Sequence, residues 1–232
     1  MKYSSTLIIV GIAVLIFGCT QSENDPETYV SPVDTISLSP EELAEGKVLY
    51  AKCASCHGHN AEGVRAFNSP ALANQEDWYM RKQLEDLMSG DRRVHYSDSM
   101  GLELMLAAKS LNQSEVEILL SYIKLLPRVK TDQTIFGDLE NGKDLFNRHC
   151  VECHGIDAKG LLHKQSPNLL GIQDYYIAEQ LRMFREGKRG YAKDDSLGQV
   201  MREKARVLTE DQQIEDLVTY IHLLQTEKPK YY

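Results

Sequence analysis

No stretch of the chain alternates apolar and polar residues for long, so a substantial half-buried sheet is not expected. Aromatic residues are few, at 8% with a single tryptophan, and the formal net charge is -8 with a pI near 5.4. An acidic chain without an aromatic platform has no nucleic-acid partner to expect. Disulfide staples are missing as well. There are five cysteines, but four of them fall in two pairs only three residues apart, and bridging such a pair closes almost no loop. Long apolar runs are confined to the start of the chain. What remains is a 232-residue, 42% hydrophobic sequence that is globular in composition and lacks the usual cross-links of a small exported fold.

The start has a secretory pattern. Lys2 precedes an apolar run from Leu7 to Phe17, too short for a comfortable membrane span of about 20 residues. Ile16-Phe17-Gly18-Cys19 resembles the bacterial lipobox, although Phe17 stands where a small residue is usual. The expectation is a signal peptide over 1–18, a lipidated Cys19 and an acidic, proline-broken tether over 19–37. The competing reading is an uncleaved anchor. Both export the body of the protein, to a bacterial periplasm or cell envelope, as a membrane-anchored lipoprotein in the first case.

A shift of 97 residues lays the chain on itself. Cys53, Cys56 and His57 fall on Cys150, Cys153 and His154. Pro70 falls on Pro167, Asp77 on Asp174, Tyr79 on Tyr176, Gln83 on Gln180, Arg92 on Arg189, and Leu111 on Leu208. The chain is therefore a tandem duplication, with domains over 38–127 and 138–226, a linker over 128–137 and a short tail over 227–232. Both copies read as helical. Ser39-Pro40-Glu41-Glu42 is a capping box that opens a helix running to near Cys53, and Asp138 opens its counterpart. Second helices are expected from near Asn74 and Asp174, with Gly90 and Gly187 as stops. Last helices start at Asn112 and Thr209. They carry Val116, Leu119, Leu120 and Ile123, or Ile214, Leu217, Val218 and Ile221, on one face.

The repeated Cys-x-x-Cys-His run admits three chemistries. Zinc held by all four cysteines would need pairs some 15–20 residues apart, as in zinc ribbons, and here they are 97 apart. A thioredoxin-like redox pair would follow a strand, whereas a helix precedes the motif in both copies. Covalent c-type haem attachment accounts for every residue of the motif. The two thiols form thioethers with the haem vinyl groups, the following His faces the iron, and the haem supplies the apolar volume that a domain of about 90 residues lacks. Two covalently bound haems are expected, on Cys53 and Cys56 and on Cys150 and Cys153. Cys19 is then the one cysteine left for lipid.

From Leu38 to Leu224 the chain resembles the two-haem class I cytochromes c of the cytochrome c4 type. "YYIAEQLRMFREGKRG", Tyr175 to Gly190, is similar to that family's Tyr-x-x-x-Gln-Leu-x-x-Phe-Arg-x-Gly-x-Arg pattern, and Tyr79 to Arg92 is a weaker copy. The resemblance implies an all-α fold of two tandem class I cytochrome c domains, each wrapped round one covalent haem. It implies His57 and His154 as iron ligands, with Met201 opposite His154. In the first copy Leu104 occupies the position equivalent to Met201, which leaves Met105, Met100 or neither as the second ligand of that iron, with His95 a remote candidate. Pro70 and Pro167 match the proline whose carbonyl accepts the ligand histidine's N–H, and Arg92 and Arg189 match an arginine near a haem propionate. The bland alternatives are a turn proline and a surface arginine. His59, His149, His163 and His222 have no counterpart in the other repeat and read as solvated or structural.

The leading function is electron transfer between an upstream donor and a downstream acceptor of a respiratory chain. A small dihaem oxidase, reductase or peroxidase is the rival, and it rests only on an exchangeable first haem site. A sensor or assembly role has no supporting feature.

Overall fold

The computed structural model describes residues 37–92 and 99–226, with side chains from 37–92 and 101–226. Cys19 and His95, and the side chain of Met100, lie outside the described residues. The described part is helical and contains no strand; its only extended pairings are two isolated bridges, Val64 to Ser69 and Leu161 to Ser166. Domain one holds α1 (Pro40–His57), α2 (Asp77–Ser89), α3 (Ser99–Lys109) and α4 (Gln113–Leu125). Domain two holds α5 (Leu139–His149), α6 (Val151–His154), α7 (Asp174–Arg185), α8 (Ser196–Ala205) and α9 (Asp211–Thr226).

The capping chemistry read from sequence forms as expected. The Ser39 hydroxyl accepts from the Glu42 N–H while the Glu42 carboxylate accepts from the Ser39 N–H, and Asn112 and Glu115 do the same for α4. Asp138 caps α5 through the Glu140 and Asn141 N–H groups. The second helix of domain one starts at Asp77, three residues later than expected, because Asn74 is buried in contacts of another kind described below.

First and last helices cross in each domain, and glycine sets how closely. A Cβ on Gly46 would come within 2.7 Å of the Tyr122 Cβ, and one on Gly142 would collide with the Asp216 carbonyl. The two crossings differ by one residue. Seven positions separate Gly46 from Cys53, and eight separate Gly142 from Cys150. In domain one a single helix runs through the whole motif. In domain two the extra residue is absorbed as a break at Cys150, between α5 and α6. The cores follow the apolar faces. Leu49, Tyr50, Val116, Leu119, Leu120 and Ile123 pack in domain one, and Phe146, Ile177, Leu181, Ile214, Leu217 and Ile221 in domain two.

The segment over 128–137 is bonded along its length. Asn74 pairs with both the N–H and the carbonyl of Val129. The Thr131 hydroxyl donates to Gln225, the Thr134 and Ile135 N–H groups donate to the buried Asp174 carboxylate, and the Gly137 N–H donates to the Thr219 hydroxyl. It acts as a strap tied to both domains.

The domains meet through reciprocal contacts. The Ala71 N–H donates to Gln173 at 2.8 Å, and the equivalent Asn168 N–H donates to Glu76 at 3.0 Å. Asn74 donates to the carbonyl of its own repeat equivalent, Gly171, at 2.6 Å. Contacts exchanged between equivalent positions are the mark of an internal twofold relation, here within a single chain.

Candidate cofactor clefts

Each domain encloses a large cleft floored by its Cys-x-x-Cys-His turn. Cleft 1 is lined by Cys53, Cys56, His57 and Pro70, and cleft 2 by Cys150, Cys153, His154 and Pro167. The histidines sit at the ends of α1 and α6, where a glycine with positive φ (Gly58 or Gly155) turns the chain away. His57 Nδ1 lies 3.0 Å from the Pro70 carbonyl, and His154 Nδ1 lies 3.0 Å from the Pro167 carbonyl. A carbonyl can only accept, so Nδ1 carries the proton in both rings and Nε2 is left as an electron-pair donor. Burial holds both imidazoles below their ordinary pKa, against the opposing pull of the proline carbonyls. Neutral rings with a fixed tautomer suit an iron ligand. Burial also pushes the Cys53 thiol up to about 11 and the Cys150 thiol to about 12. Neither is a reactive thiolate, which speaks against a thiol redox pair.

The opposite wall differs between the domains. In cleft 2, α8 presents Met201, packed against the core of its domain. In cleft 1, α3 presents Gly101, Leu104 and Ala107. Met105, about 100° round the helix from Leu104, is not among the residues lining that cleft.

The inner end of each cleft is closed by the other domain. Tyr79, Gln83 and Arg92 of domain one line cleft 2, and Tyr176, Gln180 and Arg189 of domain two line cleft 1. Arg92 donates to Gln83 of its own domain at 2.9 Å and to the Tyr176 hydroxyl across the interface at 3.3 Å. Arg189 donates to Gln180 at 2.5 Å, and across the interface to Tyr79 at 3.1 Å and Gln83 at 2.7 Å. Among the described residues, the hydrogen-bond partners of both guanidiniums are neutral. Burial alone would raise the Tyr176 phenol, but Arg92 and Arg189 outweigh it and hold its pKa low. Two cationic forks whose hydrogen-bond partners among the described residues are neutral, with Asp195 near Arg189 but not bonded to it, lie at the inner ends of largely apolar clefts and fit the propionates of a haem attached at the far end. The residues present thus fit haem at every point the structure describes: a thiol pair, an oriented imidazole, apolar walls and a cationic inner end.

The sequence had marked the cysteines, histidines, prolines and arginines by position. It did not show that the tyrosine and glutamine conserved between the two copies work across the interface. Their agreement in both repeats was the available signal, although each glutamine also accepts from the arginine of its own domain.

The sequence profile of the cytochrome c family matches residues 43–127 and 139–225. The chain belongs to the cytochrome c family. Cytochrome c4 of Stutzerimonas stutzeri is 30% identical over 194 residues, covering 78% of this chain and 87% of that protein. The crystal structure of reduced recombinant cytochrome c4 from Pseudomonas stutzeri superposes with a TM-score of 0.59 at 28% identity, covering 78% of this chain and 97% of that one. The thiosulfate dehydrogenase electron acceptor of Stutzerimonas stutzeri strain A1501 is 28% identical, covering 74% of this chain and 82% of that protein. FixP, a cbb3-type cytochrome c oxidase subunit of Sinorhizobium medicae, is 25% identical, and the chain spans only 61% of its length. This cytochrome is therefore of the two-haem c4 type and all-α, with two covalent c-type haems on its two cysteine pairs, and it is an electron-transfer protein.

Proposed function

We propose that this cytochrome is a two-centre electron relay of the cell envelope, taking electrons from a dehydrogenase or quinol-oxidising complex and delivering them to a terminal oxidase or reductase. The reading rests above all on the shared wall between the clefts. Arg92 and Arg189 each reach from one domain to a tyrosine of the other, which puts the inner ends of both clefts at one interface. When bound, the haem iron supplies the one-electron chemistry. The chain holds and insulates it, and sets its potential. His57 and His154 would hold the iron from the motif side, and Met201, which lines the same cleft as His154, would be the second ligand there. Met105 or Met100 remains the candidate opposite His57. Pro70 and Pro167 fix the imidazoles, and Arg92 and Arg189 hold the cofactor carboxylates.

A relative that accepts electrons for thiosulfate dehydrogenase, and another that is an oxidase subunit, support a donor and an acceptor of these two kinds. The Lys2-led apolar run and Cys19 support export and a lipid anchor, with the segment over 19–37 as the tether. The test is membrane respiration. Membranes carrying the haem-loaded protein should reduce it on addition of a respiratory donor and reoxidise it through a cyanide-sensitive oxidase. The Cys19→Ser variant should leave the membrane fraction and lose this turnover. A protein that stays oxidised while the membranes respire contradicts the proposal.

A further inference from the structure

The inner ends of the clefts face each other, so exchange with other proteins has to use the motif ends, and those two ends are chemically unlike. At the mouth of cleft 2, Lys164 and Lys204 line the opening, and both approach Glu152 at 3.6 Å. Glu152 lies inside the Cys150-x-x-Cys153 turn itself. All three side chains are well exposed, at 42%, 47% and 66%. The same three positions in domain one are Phe67, Ala107 and Ser55, which carry no charge. Phe67 is 44% exposed at the mouth of cleft 1, where Glu103 replaces the Val200 of cleft 2 and Lys52 replaces His149.

We infer that the mouth of cleft 2 is a docking port for a redox partner with an acidic surface, and that the mouth of cleft 1 is not. The inference rests on the relay reading above. Two lysines against one glutamate leave a net positive rim round the apolar Val200 and Val207, on a chain whose overall charge is -8. An acidic partner can displace Glu152 as the lysines' counter-charge and cover the apolar patch between them. A basic partner meets like charge there. Complementary rims act mainly on association rate and partner choice, and salt screens them. The matching face of domain one has no such lysine pair: its lining carries one lysine, Lys52, and one carboxylate, Glu103, which leave no net positive rim beside the exposed Phe67.

Small redox ions of opposite charge separate the ports without knowledge of the partners. The fully reduced, haem-loaded protein is mixed with hexacyanoferrate(III) or with tris(phenanthroline)cobalt(III), and both kinetic phases are followed as ionic strength rises from about 0.01 M, where the screening length is roughly 30 Å. One phase should be accelerated for the anion at low salt, several-fold and up to about tenfold, and should lose that advantage at high salt. Lys164→Gln with Lys204→Gln should slow this phase for the anion and leave the other phase unchanged. Glu152→Gln should speed it, an effect that mere damage to the fold does not produce. Equal salt dependence of the two phases, or a Glu152→Gln variant slower than the parent, overturns the port. If neither ion oxidises either haem, the relay reading itself fails.

Discussion

The Arg189 guanidinium of domain two donates to the Tyr79 hydroxyl of domain one at 3.1 Å, and Arg92 returns the contact to Tyr176 at 3.3 Å. Each cleft therefore depends on the other domain for its inner wall. A positive charge beside a haem favours the extra electron of the reduced form. Arg189→Leu should lower at least one midpoint potential, on the order of 50 mV, close to a tenfold change in a one-electron equilibrium constant. Arg189→Lys keeps the charge and loses the two-pronged geometry, so its potentials should lie nearer the parent. Spectroelectrochemical titration measures both. Unchanged potentials in Arg189→Leu would place the cofactor carboxylates elsewhere.

The two irons should not be equivalent. Met201 lines cleft 2, while Leu104 holds its place in cleft 1 and Met105 falls outside the lining. A thioether ligand raises the potential. Met201→Ala should therefore lower one potential and abolish that haem's sulfur-to-iron absorption. The same absorption of the other haem should vanish in only one of Met105→Ala and Met100→Ala. If neither variant alters it, the first iron takes no methionine, and it should then bind carbon monoxide readily when reduced.

Replacing Cys150 and Cys153 by Ala should remove one haem from the mass of the protein and cost domain two much of its helix. Leu145, Leu181 and Leu217 of that core also line the cleft, and would lose their apolar filling. Circular dichroism and intact mass report the outcome together. A variant with full helicity would mean that the core closes without its cofactor.

Asp216 should make stability depend on pH. Burial alone would raise its pKa, but the bonds donated by Gln212, Asn141 and the Asp138 N–H outweigh burial and hold it low. A carboxyl with a depressed folded pKa contributes fully above its unfolded value, about 3.9. That contribution is lost as pH falls through the folded value. Asp216→Asn should destabilise the holoprotein at pH 7 by about 1–3 kcal/mol, and the gap to the parent should narrow below about pH 4. A gap that is constant with pH would assign the loss to packing.

The local features were legible in the sequence because their causes are local. Ser39, Asn112 and Asp138 cap helices whichever domain neighbours them, and a Cys-x-x-Cys-His turn presents the same groups in each copy. The repeat carried Pro70 and Pro167 to the positions where their carbonyls meet the histidines. Features that depend on the pairing of domains were not legible. Asn74 reads as a helix start, yet it is buried against Val129 and Gly171. The run over 128–137 reads as a linker, and its bonds to Asp174 and Thr219, far along the chain, are not visible in it. The break at Cys150 follows from one extra residue, visible only when the two glycine-to-cysteine spacings are compared.

The most direct test of a relay with a shared inner wall is electron redistribution after partial reduction. Rapid mixing of the oxidised holoprotein with less than one equivalent of reductant should give a fast entry phase followed by a slower exchange between the two haem spectra. The account predicts that the rate of this second phase is independent of protein concentration and changes in the Arg92→Leu, Arg189→Leu double variant. A second phase whose rate rises in proportion to protein concentration would mean that electrons pass between molecules rather than across the Arg92–Arg189 interface, and would contradict the account.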